Sequence, residues 1–69
     1  KLPILKAKEV IAMLQGRGFE IDHVTGGHYI LRHPDGRRVT IPYHGNRDIK
    51  RRLLRSILKQ AKIDPEELM

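Results

Sequence analysis

Apolar residues recur at helical spacing at both ends of this chain and alternate singly in its middle. Near the start, Ala7, Val10, Ile11 and Leu14 follow the 3, 4, 7 spacing of one helix face. Lys8, Glu9, Ala12 and Gln15 fall on the other side, and Gly16 and Gly18 stop the run. The spacing predicts a helix over 7–15, with an extended lead-in around Pro3. From Phe19 the period drops to two: Phe19, Ile21 and His23 alternate with Glu20, Asp22 and Val24. A turn at Thr25-Gly26-Gly27 leads to a second strand, where Tyr29, Leu31 and His33 point one way and His28, Ile30 and Arg32 the other. His33-Pro34-Asp35-Gly36 is a hairpin signal. The third strand sets Val39 and Ile41 against Arg38 and Thr40, and Pro42 ends it because proline cannot donate to a ladder.

Helical spacing returns in Leu53, Leu54, Ile57, Leu58 and Ala61, predicting a helix from Ile49 to Lys62 with Asp48 as its N-cap. Pro65, Glu66 and Glu67 open a short final turn capped by Asp64. The order is therefore α-β-β-β-α. Its economical packing is an α+β two-layer sandwich, with both helix stripes on one face of a three-stranded antiparallel sheet. Phe19, Ile21, Tyr29, Leu31, Val39 and Ile41 would face the helices. His28, Ile30, Arg32, Arg38 and Thr40 would stand on the open face.

Sixty-nine residues leave room for one small domain, expected to span 1–69. The hydrophobic fraction of 39% is that of a globular chain, and the absence of cysteine excludes a disulfide scaffold and a thiolate zinc site. No apolar run approaches a membrane span and no signal-peptide pattern opens the chain, so the expectation is a soluble, cytoplasmic domain. The chain begins at Lys1 rather than Met, which leaves room for trimming or processing at the N-terminus.

Charge changes the picture more. The formal net charge is +6, and its positive part is concentrated. Residues 47–62 carry Arg47, Lys50, Arg51, Arg52, Arg55, Lys59 and Lys62 against Asp48 alone. Such a field suits nucleic acid, anionic lipid or an acidic protein, or is simply a solvated helix face.

The four histidines read differently. His28 follows a Gly-Gly turn on the open face, which suits a general acid or base as well as a plain exposed strand histidine. His33 alternates onto the core side and reads as a hydrogen-bonded structural residue. His44, in the loop Tyr43-His44-Gly45-Asn46, is a second proton donor or loop filler, and His23 carries no signal. The spacings do not support a metal set, because His28 and His33 face opposite sides of one strand. Ser56 lies inside a basic helix without an elbow motif, and Gly26-Gly27 lacks the helix a phosphate loop needs. One histidine among arginines fits RNA cleavage without metal or cofactor: a base takes the 2′-hydroxyl proton, the oxygen attacks the adjacent phosphate, and cations stabilise the charge.

The stretch from Gly26-Gly27-His28 to His33-Pro34, then Arg38-Val39-Thr40-Ile41-Pro42, then Leu54-Arg55-Ser56-Ile57-Leu58-Lys59-Gln60-Ala61 resembles the HicA (YcfA-like) toxin family. Glu9-Val10-Ile11 through Gly18-Phe19 matches its usual opening, so nearly the whole chain is covered. The resemblance implies a fold like a double-stranded-RNA-binding domain and an endoribonuclease (mRNA interferase) toxin of a type II toxin–antitoxin pair. It implies that His28 is the catalytic histidine and that a HicB-like antitoxin covers the surface. Tyr29 and Ile30 depart from the polar pair common after that histidine. Ile49-Lys50-Arg51-Arg52 replaces the family's usual Pro and Gly, making that end more basic. On this reading Gly27 contacts RNA, Arg32 and Arg38 are the phosphate-side cations on the open face, and Arg51, Arg52, Arg55 and Lys59 steer and hold the RNA backbone. The rival class is a non-catalytic RNA-binding module that grips double-stranded RNA by shape, with His28 incidental. A third is a protein-interaction domain whose basic face meets an acidic partner.

Overall fold

The computed structural model describes residues 1–69. A two-residue strand β1 (Leu5–Lys6) leads directly into helix α1 (Ala7–Gln15). Strands β2 (Glu20–Thr25), β3 (His28–Arg32) and β4 (Arg38–Pro42) form an antiparallel sheet in that order. A short β5 (Asp48–Ile49) precedes helix α2 (Arg51–Ala61), and a single 3₁₀ turn closes the chain at Pro65–Leu68. Both helix stripes pack on one face of the sheet. Val10, Ile11 and Leu14 of α1 and Leu54, Ile57 and Leu58 of α2 join Leu31, Val39 and Ile41 in one cluster. Every buried residue is apolar. Burying each Leu or Ile side chain contributes about 1.5–3 kcal/mol, so the two stripes supply most of the drive to fold.

Phe19 fills the end of this core, and the hairpin between β3 and β4 wraps over it. The His33 ring meets Phe19 edge-on at 5.0 Å between centroids. Its Nε2 lies 3.2 Å from the Arg17 carbonyl, and its Nδ1 accepts from the Asp35 N–H at 3.1 Å. The structural reading of His33 holds. Arg37 stacks over the Phe19 ring, 5.0 Å from its centre, and donates to the Ala61 carbonyl at the end of α2. Its Nε also donates to Asp35, and these bonds hold the Asp35 carboxyl below its ordinary range. One guanidinium thus ties the hairpin, the core edge and the C-terminus of α2 together.

Four expectations are corrected. Asp48 does not cap α2: it belongs to β5, opposite Lys6 of β1, and its carboxylate pairs with Lys6 Nζ at 2.8 Å. The chain must leave the sheet before it can turn into a helix, so α2 starts at Arg51 rather than Ile49, with Lys50 as an N-cap that makes no side-chain bond. Ile21 is 40% exposed although it is in register with Leu31. It sits on the edge strand β2, beyond the reach of either helix, and a register shift between Ile21 and His23 bends that strand. Ile30 is buried at 7% although it lies on the open face. It stands apart from the main cluster, in the centre of the sheet between His23 and Thr40 of the flanking strands.

Lys62 ends α2 in the left-handed conformation, φ 57°, while its N–H still donates to Lys59. A side chain in that conformation costs about 1–2 kcal/mol, and glycine's extra unfolded-state entropy offsets part of any relief. Lys62→Gly should therefore raise the unfolding free energy by about 0.5–1 kcal/mol in urea melts. A lower stability would show that Lys62 has native interactions outweighing the strain.

Candidate nucleic-acid interface

The open face of the sheet is organised in cross-strand rows. At one end His28 pairs with Thr25 and Pro42, in the middle Ile30 with His23 and Thr40, and at the other end Arg32 with Glu20 and Arg38. His28 opens β3 because the preceding turn has only two residues, Gly26 and Gly27, between the paired Thr25 and His28. Gly26 takes φ 55°, as a tight hairpin of this length demands. Gly27 serves a different need. Its carbonyl accepts from the Tyr43 N–H at 2.6 Å, extending the ladder beyond His28. A Cβ there would lie 3.3 Å from Cε1 of His44, so the missing side chain leaves room for that ring.

Hydrogen bonding separates the histidines. His23 is held by Asp22 at 2.7 Å and His33 by its two backbone partners. His28 and His44 carry exposed rings with no protein partner. His28 and Arg32 share a face, but four residues of strand separate them by about 13 Å. Arg32 and Arg38 are therefore brought to each other and not to His28.

Beside the His28 end, a groove of about 820 Å³ runs between the segment 42–50 and the first turns of α2. Pro42, His44, Arg47, Lys50, Arg52 and Ser56 line it. Of these only Arg52 was expected from sequence as an RNA contact. Arg47 and Lys50 were visible as charge but not as lining, because β5 folds them back toward α2. Arg52, Arg55 and Lys59 form an exposed stripe along the helix. Arg51 does not share it freely: its Nε donates to the Leu2 carbonyl at 2.6 Å, tying the lead-in segment to α2. On the opposite edge of the groove's helix, Gln60 accepts from the Thr40 N–H at 3.0 Å and so covers the β4 edge.

At the far end of the sheet, Glu20, Asp22, Arg32, Arg38 and the β3–β4 hairpin surround a second cleft of about 640 Å³. Asp22 is held below the usual carboxylate range, first by its bond to His23 and further by the charges of Arg32 and Arg38.

The family model described as HicA toxin of bacterial toxin–antitoxin systems matches residues 7–63, from the first residue of α1 to just past α2. The chain belongs to the HicA toxin family. The match covers all three sheet strands, both helices and the groove, so HicA membership applies to the whole interface described above. It also places the chain among toxins of systems in which a toxin is matched with an antitoxin. No curated protein matches the chain. No helix of this HicA chain is long and apolar enough to cross a membrane.

The differing bonds of the basic residues separate scaffold from interface. Arg51→Ala should lower the thermal midpoint by several degrees, because it frees the Leu2 carbonyl and the lead-in segment. Arg55→Ala should leave the midpoint within about one degree, as expected for an exposed, unpaired charge. Equal effects in calorimetric melts would contradict this division.

Proposed function

We propose that this HicA chain is a metal-independent endoribonuclease toxin, an mRNA interferase, that cuts RNA with His28 as general acid/base. The observation that carries the reading is the exposed, unpartnered imidazole at the head of β3, beside a groove of cations, in a chain of a toxin family. His28 takes the proton of a 2′-hydroxyl. The freed oxygen attacks the neighbouring phosphorus, and the bond to the 5′-oxygen breaks. The products are a 2′,3′-cyclic phosphate and a 5′-hydroxyl, the latter formed when the leaving oxygen takes up a proton. The nucleophile belongs to the substrate, so the step requires neither metal nor cofactor.

Gly27 admits close approach of the RNA backbone before His28. Arg52, Arg55 and Lys59 hold phosphates along α2, joined by Arg47 and Lys50 of the groove. Arg51 contributes charge from a fixed position. Arg32 and Arg38 contact the RNA away from the scissile phosphate. A HicB-like antitoxin, the partner that the family resemblance implies, neutralises the toxin by covering the His28 surface, and both act in the cytoplasm.

Incubation of purified protein with a long mRNA in EDTA tests this, beside His28→Ala matched for folding by circular dichroism. The expected result is fragmentation by the parent and a loss of about 10²-fold or more in the variant, the range of one acid/base group. RNA bound but intact with both proteins would favour a non-catalytic RNA-binding module.

A further inference from the structure

Resting on the ribonuclease reading, we infer that the cleft at the hairpin end of the open face is a nucleobase-recognition site, and that the base it takes is guanine. Arg32 and Arg38 are direct cross-strand partners on one face. Like charges in that relation destabilise a sheet. Neither relieves the repulsion by closing an ion pair with a neighbouring carboxylate: the five ion pairs of the protein include neither arginine, nor Glu20. Glu20 nevertheless stands next in the same row, as the partner of Arg32. The row therefore presents a free carboxylate and two free guanidiniums in a line, about 4.8 Å from strand to strand.

That arrangement does not suit a bare phosphate, which the Glu20 and Asp22 carboxylates at one side of the cleft would repel. It suits a planar group with two donors on one edge and two acceptors on another. Guanine has this pattern: N1–H and N2–H face a carboxylate, while O6 and N7 accept from an arginine fork. Adenine sets its N6–H donor beside the N1 or N7 acceptor, and cytosine its N4–H donor beside the N3 acceptor, so neither offers a carboxylate two adjacent ring-edge donors. In single-stranded RNA the Watson–Crick and Hoogsteen edges are both open to such contacts. Glu20 takes the donor edge and Arg38, with Arg32, the acceptor edge. Asp22, fixed by His23 and facing the same guanidiniums, keeps the cleft's charge balanced. The cleft is about 13 Å from His28 along β3, so it reads a base short of the bond that is cut and sets where cleavage falls.

The test uses the parent chain and non-cleavable 2′-O-methyl oligouridines carrying one central guanine, inosine or adenine, with binding followed by fluorescence anisotropy. Guanine should bind about tenfold more tightly than adenine, with inosine between them because it lacks the N2 amine. Glu20→Gln should bring the guanine-to-adenine affinity ratio from about ten to about one; a merely structural or electrostatic role would shift all three oligonucleotides together and leave that ratio in place. If Glu20→Gln fails to fold, Glu20→Ala serves as the second variant, with the same loss of the guanine preference expected. Equal affinities for the three bases, or no binding to any, would overturn the inference. So would an Arg32→Ala, Arg38→Ala double variant that weakens all three oligonucleotides by one common factor, which is the mark of a phosphate contact. Cleavage of mRNA by the parent is read separately: it is compatible with equal affinities or a common-factor loss, which overturn the guanine inference alone, whereas its absence would remove the ribonuclease reading itself.

Discussion

A chain of 69 residues that buries 16 side chains, all of them apolar, has enough hydrophobic surface to cover one face of a sheet and no more. Both helices are spent on that face. The consequence runs through the whole molecule: the other face of β2–β4 stays in water, and polar and titratable side chains can stand there without the desolvation cost that burial would impose. A single layer of helices also leaves β2 as an uncovered edge, while the β4 edge is closed by Gln60. The packed scaffold and the open polar surface are thus opposite sides of the same three strands.

Within that division, side-chain bonding decides which charges belong to which side. Arg37 and Arg51 both end on backbone carbonyls, Ala61 and Leu2, and hold loops to helices. Arg32 and Arg38 face each other with no ion pair, at a cost to the sheet that packing elsewhere must offset. The stripe Arg52, Arg55 and Lys59 points to solvent and is joined by the groove cations Arg47 and Lys50. Histidines divide in the same way. His33 is locked against Phe19 and His23 against Asp22, while His28 and His44 are left free on either side of the Gly27–Tyr43 link.

The sheet order, both helix stripes and the parity that puts His28, Arg32 and Arg38 on one face were legible because each rests on a periodicity of two or of 3.6. The inward position of His33 was legible for the same reason. Periodicity is blind to pairs of two residues, so β1 and β5 were missed, and with them the true place of Asp48. It is equally blind to how far the helices reach across the sheet, which is why Ile21 was assigned to the core and Ile30 to solvent. Parity carries no distance: sharing a face with His28 is not the same as sharing its site, and Arg32 belongs to the other end of β3. The fold-back that turns Arg47 and Lys50 into groove lining depends on β5 and had no local signal. Nor did the bond from Arg51 to the carbonyl of Leu2, which joins segments 49 residues apart.

The central claim is that the substrate supplies its own nucleophile and His28 moves the proton. A single deoxynucleotide placed on the 5′ side of a mapped cleavage site removes that one hydroxyl and leaves the rest of the RNA unchanged. Cleavage at that bond should stop completely in EDTA while neighbouring sites are still cut. Continued cleavage at the deoxy position would contradict it, because an external nucleophile would then be doing the chemistry.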